Sequence, residues 1–192
     1  GVLTGTSLDI SGDIDVDGTT NLDVVDIDGA VDMASTLQVD GAITFSSTLN
    51  GLDILADTTN FVDSILISQN ASTGTLSSAS NNTGLGDSVF AALTSGVDNT
   101  IVGGLAGDAL TTGSRNVAIG RSALSLDTQG SSTVAIGFGA LDAQNFTSAT
   151  DTYNTAVGRS AGGAITTGIK NTIVGGLAGD AITTADNNTA VG

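Results

Sequence analysis

"NTIVGGLAGDA" stands at Asn99–Ala109 and again, letter for letter, at Asn171–Ala181, 72 positions further along a chain of 192 residues. Aligned outward from the glycine that closes "NTIVG", the phrase recurs as "NTGLG", "NVAIG", "STVAIG" and "NTAVG". The closing glycines are Gly86, Gly103, Gly120, Gly137, Gly158, Gly175 and Gly192, so the successive steps in numbering are 17, 17, 17, 21, 17 and 17. Three steps of 17 and the one of 21 add up to the offset of 72 between the two copies. A fixed period of this kind marks a stacked repeat, in which each unit buries its apolar surface on the next.

Each unit has a grammar with physical reasons behind it. Four residues before the glycine stands Asn (Asn82, Asn99, Asn116, Asn154, Asn171, Asn188), replaced once by Thr133; stacked Asn side chains can form an amide ladder. β-favouring residues follow, and the strand stops at Gly. Three residues later comes Ala106, Ala123, Ala140, Ala161 or Ala178, with Val89 in the first unit. Ten residues after the repeat glycine, Gly96, Gly113, Gly130 and Gly168 recur in "TTG"-like phrases, read as a second corner. Two short strands and two corners in every repeat predict a parallel β-solenoid over 81–192. Adjacent strand positions point to opposite faces, yet both positions before the glycine are apolar, as in Ile101–Val102 and Ala118–Ile119. One face fills the coil; the other needs a cover, and an identical chain supplies one.

The chain ahead of the solenoid follows another rhythm. "DIDVDG", "DVVDIDG", "TLQVDG" and "STLNG" place Asp or Asn before Gly18, Gly29, Gly41 and Gly51, a signal of tight turns between short strands. Residues 1–55 are therefore read as an Asp/Gly-rich β-repeat shaft, 56–80 as a neck or junction rich in Ser, Thr and Asn, and 81–192 as the solenoid. The extra residues of the one longer step, in "LDAQNFTSATDTY", are expected to bulge outward as a loop carrying Phe146 and Tyr153, which either pack the loop on its own coil, the preferred reading, or contact a sugar or a neighbouring chain.

Composition narrows the function classes. The 20 acidic residues face four basic ones, for a formal charge of −16, and the chain lacks His, Cys, Pro and Trp. Such a surface repels phosphate backbones and anionic lipid, so no nucleic acid and no membrane insertion are expected. The opening "GVLTGTSLDI" has neither a basic n-region nor a long apolar run, so no signal peptide or span is expected. Beginning at Gly1 and stopping at a repeat glycine, the chain reads as a piece of a longer one. Without His, a serine has no imidazole base, and nothing distinguishes two carboxylates of the twenty as a glycosidase pair. The chain is read as not an enzyme, with no catalytic, cofactor-binding or metal residues and no cofactor. Asp13, Asp15 and Asp17 before Gly18 match the start of a calcium loop, but Val24 stands where a bidentate Glu is wanted; a solvated strand face is the preferred reading. Arg121 and Arg159 each follow a repeat glycine in "GRSA". They either bind an anionic sugar or pair with a neighbouring Asp, and weak surface pairing is the expectation.

"NTAVGRSAG", "NVAIGRSAL" and "TVAIGFGAL" resemble the head repeats of trimeric autotransporter adhesins and, more closely, the "NTAVG" arrays of bacteriophage tail fibres. The resemblance covers about residues 81–192. It implies a left-handed parallel β-roll in which three chains wind side by side, a homotrimer, and it implies a structural role. That role is a phage tail fibre extending from the virion and attaching to a host-surface glycan or protein receptor, together with other virion proteins. The alternative implied is a bacterial trimeric surface adhesin or extracellular filament subunit at the cell surface. Repeats longer than the usual autotransporter heads, and the lack of their basic neck motif and membrane anchor, favour the viral reading.

Overall fold

The structure, a computed structural model, describes residues 53–68 and 73–192. Nearly all of the segment read as a shaft, with its turn glycines and the Asp13–Asp17 run, lies outside the described residues. Among the described residues there is no helix, and the architecture is all-β.

Seven three-residue strands carry the repeat. They are β4 (Thr83–Leu85), β5 (Thr100–Val102), β6 (Val117–Ile119), β8 (Val134–Ile136), β10 (Thr155–Val157), β11 (Thr172–Val174) and β12 (Thr189–Val191). All pair in parallel with equivalent residues in register: Ile101 lies opposite Ala118, Ala118 opposite Ala135, and Ala156 opposite Ile173. Residues 81–192 are thus a β-solenoid of about seven turns, one coil per repeat. Ahead of it, β1 (Asp53–Thr58) and β2 (Phe61–Ser68) form an antiparallel hairpin, and β2 extends the same sheet by pairing with β4, Leu66 opposite Gly84. Residues 61–68 of the segment read as a neck therefore lie in the solenoid sheet. Phe61 meets Phe90 edge-on at 6.5 Å between ring centres, bringing the hairpin onto the first coil.

The expected second strand of each coil is reduced to short pairings: β3 (Ala79–Ser80) with β2, and β7 (Gly130–Ser131) with β9 (Thr150–Asp151). Elsewhere that side is held by single backbone bonds between coils, such as Arg115 N–H to Val97 O at 2.9 Å and Ser132 N–H to Ser114 O at 2.9 Å. The cause is local. The residue five before each repeat glycine is left-handed in every coil, from Asn81 (φ 55°) through Arg115 (58°) and Tyr153 (53°) to Asn187 (58°). A left-handed residue cannot continue an extended run, so the second side is cut short before the main strand begins.

Within the coils, the residue two before the glycine points inward: Ile101, Ala118, Ala135, Ala156 and Ile173 are fully buried, as are Ala106, Ala123, Ala140 and Ala161 from the corner. The residue four after the glycine shares the same volume. Gly84 sits with Phe90, Ile101 with Gly107, Ala118 with Leu124, Ala135 with Leu141, and Ile173 with Gly179; in the remaining coil Ala156 and Gly162 are both small, and Ile165 and Leu141 fill the space beside Gly162. A Cβ on Gly84 would lie 2.9 Å from the Phe90 ring, and one on Gly179 3.0 Å from Ile173 Cδ1. Large on one side demands small on the other, because interiors are packed to crystal-like density.

The Asn position builds the expected ladder. Asn99 donates from both its backbone N–H and Nδ2 to Asn82 Oδ1, each at 3.0 Å. The backbone N–H of Asn116 reaches Asn99 Oδ1 at 3.0 Å, and that of Asn188 reaches Asn171 Oδ1 at 2.9 Å. The same amides donate across the coil to the second-corner glycines, Asn99 Nδ2 to Gly113 O at 3.0 Å and Asn154 Nδ2 to Gly168 O at 2.7 Å. Thr111 Oγ1 in turn donates to Thr128 O at 2.9 Å, which explains the "TTG" phrases.

The longer step is absorbed by an outward bulge, as expected, but a shorter one, with Phe146 packed inward. The regular register between coils holds through Asn145, which meets Thr128, and the added residues bulge at Thr147, Ser148 and Ala149, all exposed. Phe146 does not sit on the bulge: it is turned inward and buried, while Tyr153 is exposed. Phe146 is held in because its backbone N–H donates to the buried carboxylate Asp127 Oδ1 at 3.0 Å. Asp127 also accepts from Gly130 N–H at 3.0 Å and from Gln144 Nε2 at 2.6 Å. Asp127 and Gln144 stand where other coils have Leu93, Leu110 or Ile165. Gln144 bridges the gap in the ladder, donating to Thr133 Oγ1 at 3.1 Å and accepting from Asn154 Nδ2 at 2.8 Å. The Asn-to-Thr change at 133 and these two buried polar residues are one device.

Candidate functional site

The side chains one and three before each glycine face outward. Leu85, Ile119, Val174 and Val191 are exposed, and Val102, Ile136 and Val157 are half-buried. Thr83, Thr100, Val117, Val134, Thr155, Thr172 and Thr189 run beside them. The result is a sheet face along all seven coils with one continuous apolar row of Leu, Val and Ile beside a row that is mostly Thr, the apolar row being the one expected from the two adjacent apolar positions.

Two polar rows flank this face. The left-handed position before the strand carries Asp98, Arg115, Tyr153 and Lys170; the position after the glycine carries Asp87, Gly104, Arg121, Phe138, Arg159 and Gly176. All four cations of the chain lie in these two rows. In the first row Arg115 pairs with Asp151 at 2.8 Å, and Asp151 also accepts from Ser132 Oγ at 3.1 Å. The Arg115 hydrogen bond, helped by Ser132, holds the Asp151 carboxyl below the usual carboxylate range.

The second row differs from the expectation of surface pairing. Neither Arg121 nor Arg159 forms a salt bridge among the described residues. Both instead stack on Phe138, whose ring centre lies 6.0 Å from the Arg121 guanidinium carbon and 5.8 Å from that of Arg159. These distances lie at the range of a cation–π contact. The coil spacing makes this sandwich, since Gly120, Gly137 and Gly158 stack one above another and so do the residues after them. Phe138 is 48% exposed, so the row reaches solvent. Sequence reading noticed the two Arg residues but missed the ring between them; "GFGAL" at the same repeat position as the two "GRSA" phrases was the available signal.

Asp108 is the other unusual carboxyl. Its Oδ1 is buried without a hydrogen-bond partner, and burial pushes its pKa up against the lowering effect of its own and Ala109's backbone N–H. Among the described residues no three metal-ligating side chains gather, and no helix is long and apolar enough to cross a membrane. No protein-family model, curated protein or solved structure matches the chain.

Proposed function

We propose that the chain is a structural fibre protein, a bacteriophage tail fibre segment that extends from the virion and attaches to a host-surface receptor, built as a homotrimer. The observation that carries this reading is the outward row of Leu, Val and Ile that runs without a break over seven parallel coils. A single chain leaves that face in water at about 25 cal/mol per Å², and a patch of such length marks an association surface. Three copies around an axis cover it in a closed, symmetric way. A stack hydrogen-bonded along its whole length also has the stiffness a host-sensing fibre needs. Sedimentation of the purified chain together with titration of the labelled protein onto bacterial cells tests the reading. A trimer and saturable cell binding are expected; a stable 18.7 kDa monomer overturns the fibre, and a trimer that binds no cells overturns the attachment role.

A further inference from the structure

We infer that the Arg121–Phe138–Arg159 row is a binding site for a carboxylate-bearing polysaccharide lying along the coil axis. Three observations converge on it. First, Arg121 and Arg159 are left without an acidic partner among the described residues, although Arg115 close by takes Asp151 at 2.8 Å. Second, Phe138 lies between the two guanidinium groups at 6.0 and 5.8 Å. The half-exposed ring thus gathers two guanidinium groups on one row, and each is a fork that pairs two-pronged with a planar anion. Third, charge is segregated: residues 115–170 hold all four cations against Asp127, Asp142 and Asp151, and of these three Asp127 is buried and Asp151 paired. Repulsion of a polyanion by the acidic chain is therefore weakest along this stretch.

The row is not required to close a coil, because Asp87, Gly104 and Gly176 occupy the same position elsewhere. Two strand spacings separate the guanidinium forks, about 10 Å along the axis. Carboxylates of an extended polysaccharide that lie about two strand spacings apart meet both forks, while a sugar ring between them lies against the exposed Phe138. Duplex nucleic acid carries its charges far more densely than the two forks are spaced.

This names a receptor class for the attachment reading and rests on that reading only for the polysaccharide's place on a cell. Calorimetric titration of the full chain with polygalacturonate at low salt, with its methyl-esterified form as the neutral counterpart, tests the site. Saturable binding to the first and none to the second is expected. R121Q/R159Q should weaken binding by about tenfold or more, the scale of losing charge-assisted pairs. F138L, which keeps both charges but removes the platform, should weaken it a few-fold, and K170Q should not change it. No binding by the unaltered chain, or equal losses in K170Q and R121Q/R159Q, overturns the site. So does dissociation of the assembly in R121Q/R159Q, which would assign these cations to a neighbouring copy. Failure with trimer and cell binding intact sinks the site alone.

Discussion

The repeat glycine shows how one residue dictates the period. Gly120 has φ 127°, and a Cβ there would lie 2.6 Å from the carbonyl carbon and oxygen of Gly137 in the next coil. That backbone cannot step aside, because Gly137 is held the same way by Gly158. Gly120→Ala should therefore cost about 3 kcal/mol or more, from a glycine-only backbone region and a backbone clash together. Gly104, in the coil before, meets nothing within 4 Å; Gly104→Ala should change stability by no more than about 0.5 kcal/mol. Urea unfolding of the two variants checks the contrast. Asp108 gives a pH-dependent case. Its pKa is raised in the folded state, so the folded chain holds that proton more tightly than the unfolded one. Stability then falls as pH rises through the ordinary carboxylate range to the raised value, and the penalty is fully present above it. Asp108→Asn should melt higher than the unaltered chain at pH 7, with the gap closing below about pH 4. Melting curves at both pH values decide it; a gap unchanged between them would show that burial of Asp108 is not the cause.

At the level of the coil, the strand, its register and the ladder were legible because each depends on a single position that returns once per repeat. What escaped was pairing between positions. Ile appears two before the glycine only where Gly stands four after it, in both copies of "IVGGLAG", and the phrase "AIGRSAL" carries the reverse arrangement. The substitution pattern was in the sequence, but it acquires meaning only when the coil brings the two positions into one volume. Ile101→Ala alone should cost about 2–5 kcal/mol as a cavity, and Gly107→Leu alone about 1–3 kcal/mol by overpacking. Combined, they approach the Ala118/Leu124 arrangement, whose Leu already adopts φ 55° against 53° at Gly107, with Leu110 standing where that coil has Asp127. The double variant should recover part of the loss, the part owed to Ile101; a strictly additive double-mutant cycle would refute the shared volume. Phe146 escaped for a different reason. Its burial depends on Asp127, in the preceding coil, and an Asp at an interior position reads from sequence as a surface residue.

At the scale of the molecule, the described coils leave a demand unmet: an outward row of Leu, Val and Ile running beside a row mostly of Thr, flanked by rows that hold every cation of the chain. Between the two end strands of the stack the backbone is satisfied coil to coil, so what remains to be covered along the face is side-chain surface and not backbone. This makes association and folding separable by substitution. Ile119 and Val157 point outward from β6 and β10, opposite in direction to the buried Ala118 and Ala156. Replacing both with Asp leaves the inward packing, the amide ladder and the corner glycines untouched, while placing two unpaired charges on each copy in the middle of the proposed contact, where desolvating them costs several kcal/mol apiece. Ile119→Asp/Val157→Asp should retain the β-sheet circular dichroism of the parent yet sediment as a species of 18.7 kDa. Thr112→Asp, away from this face on the turn side of its coil, should leave the assembly intact. If the outward-face variant still assembles, the apolar stripe is not where the copies meet; if it unfolds outright, the single coil stack depends on its neighbours for its own stability, and the chain is an obligate oligomer.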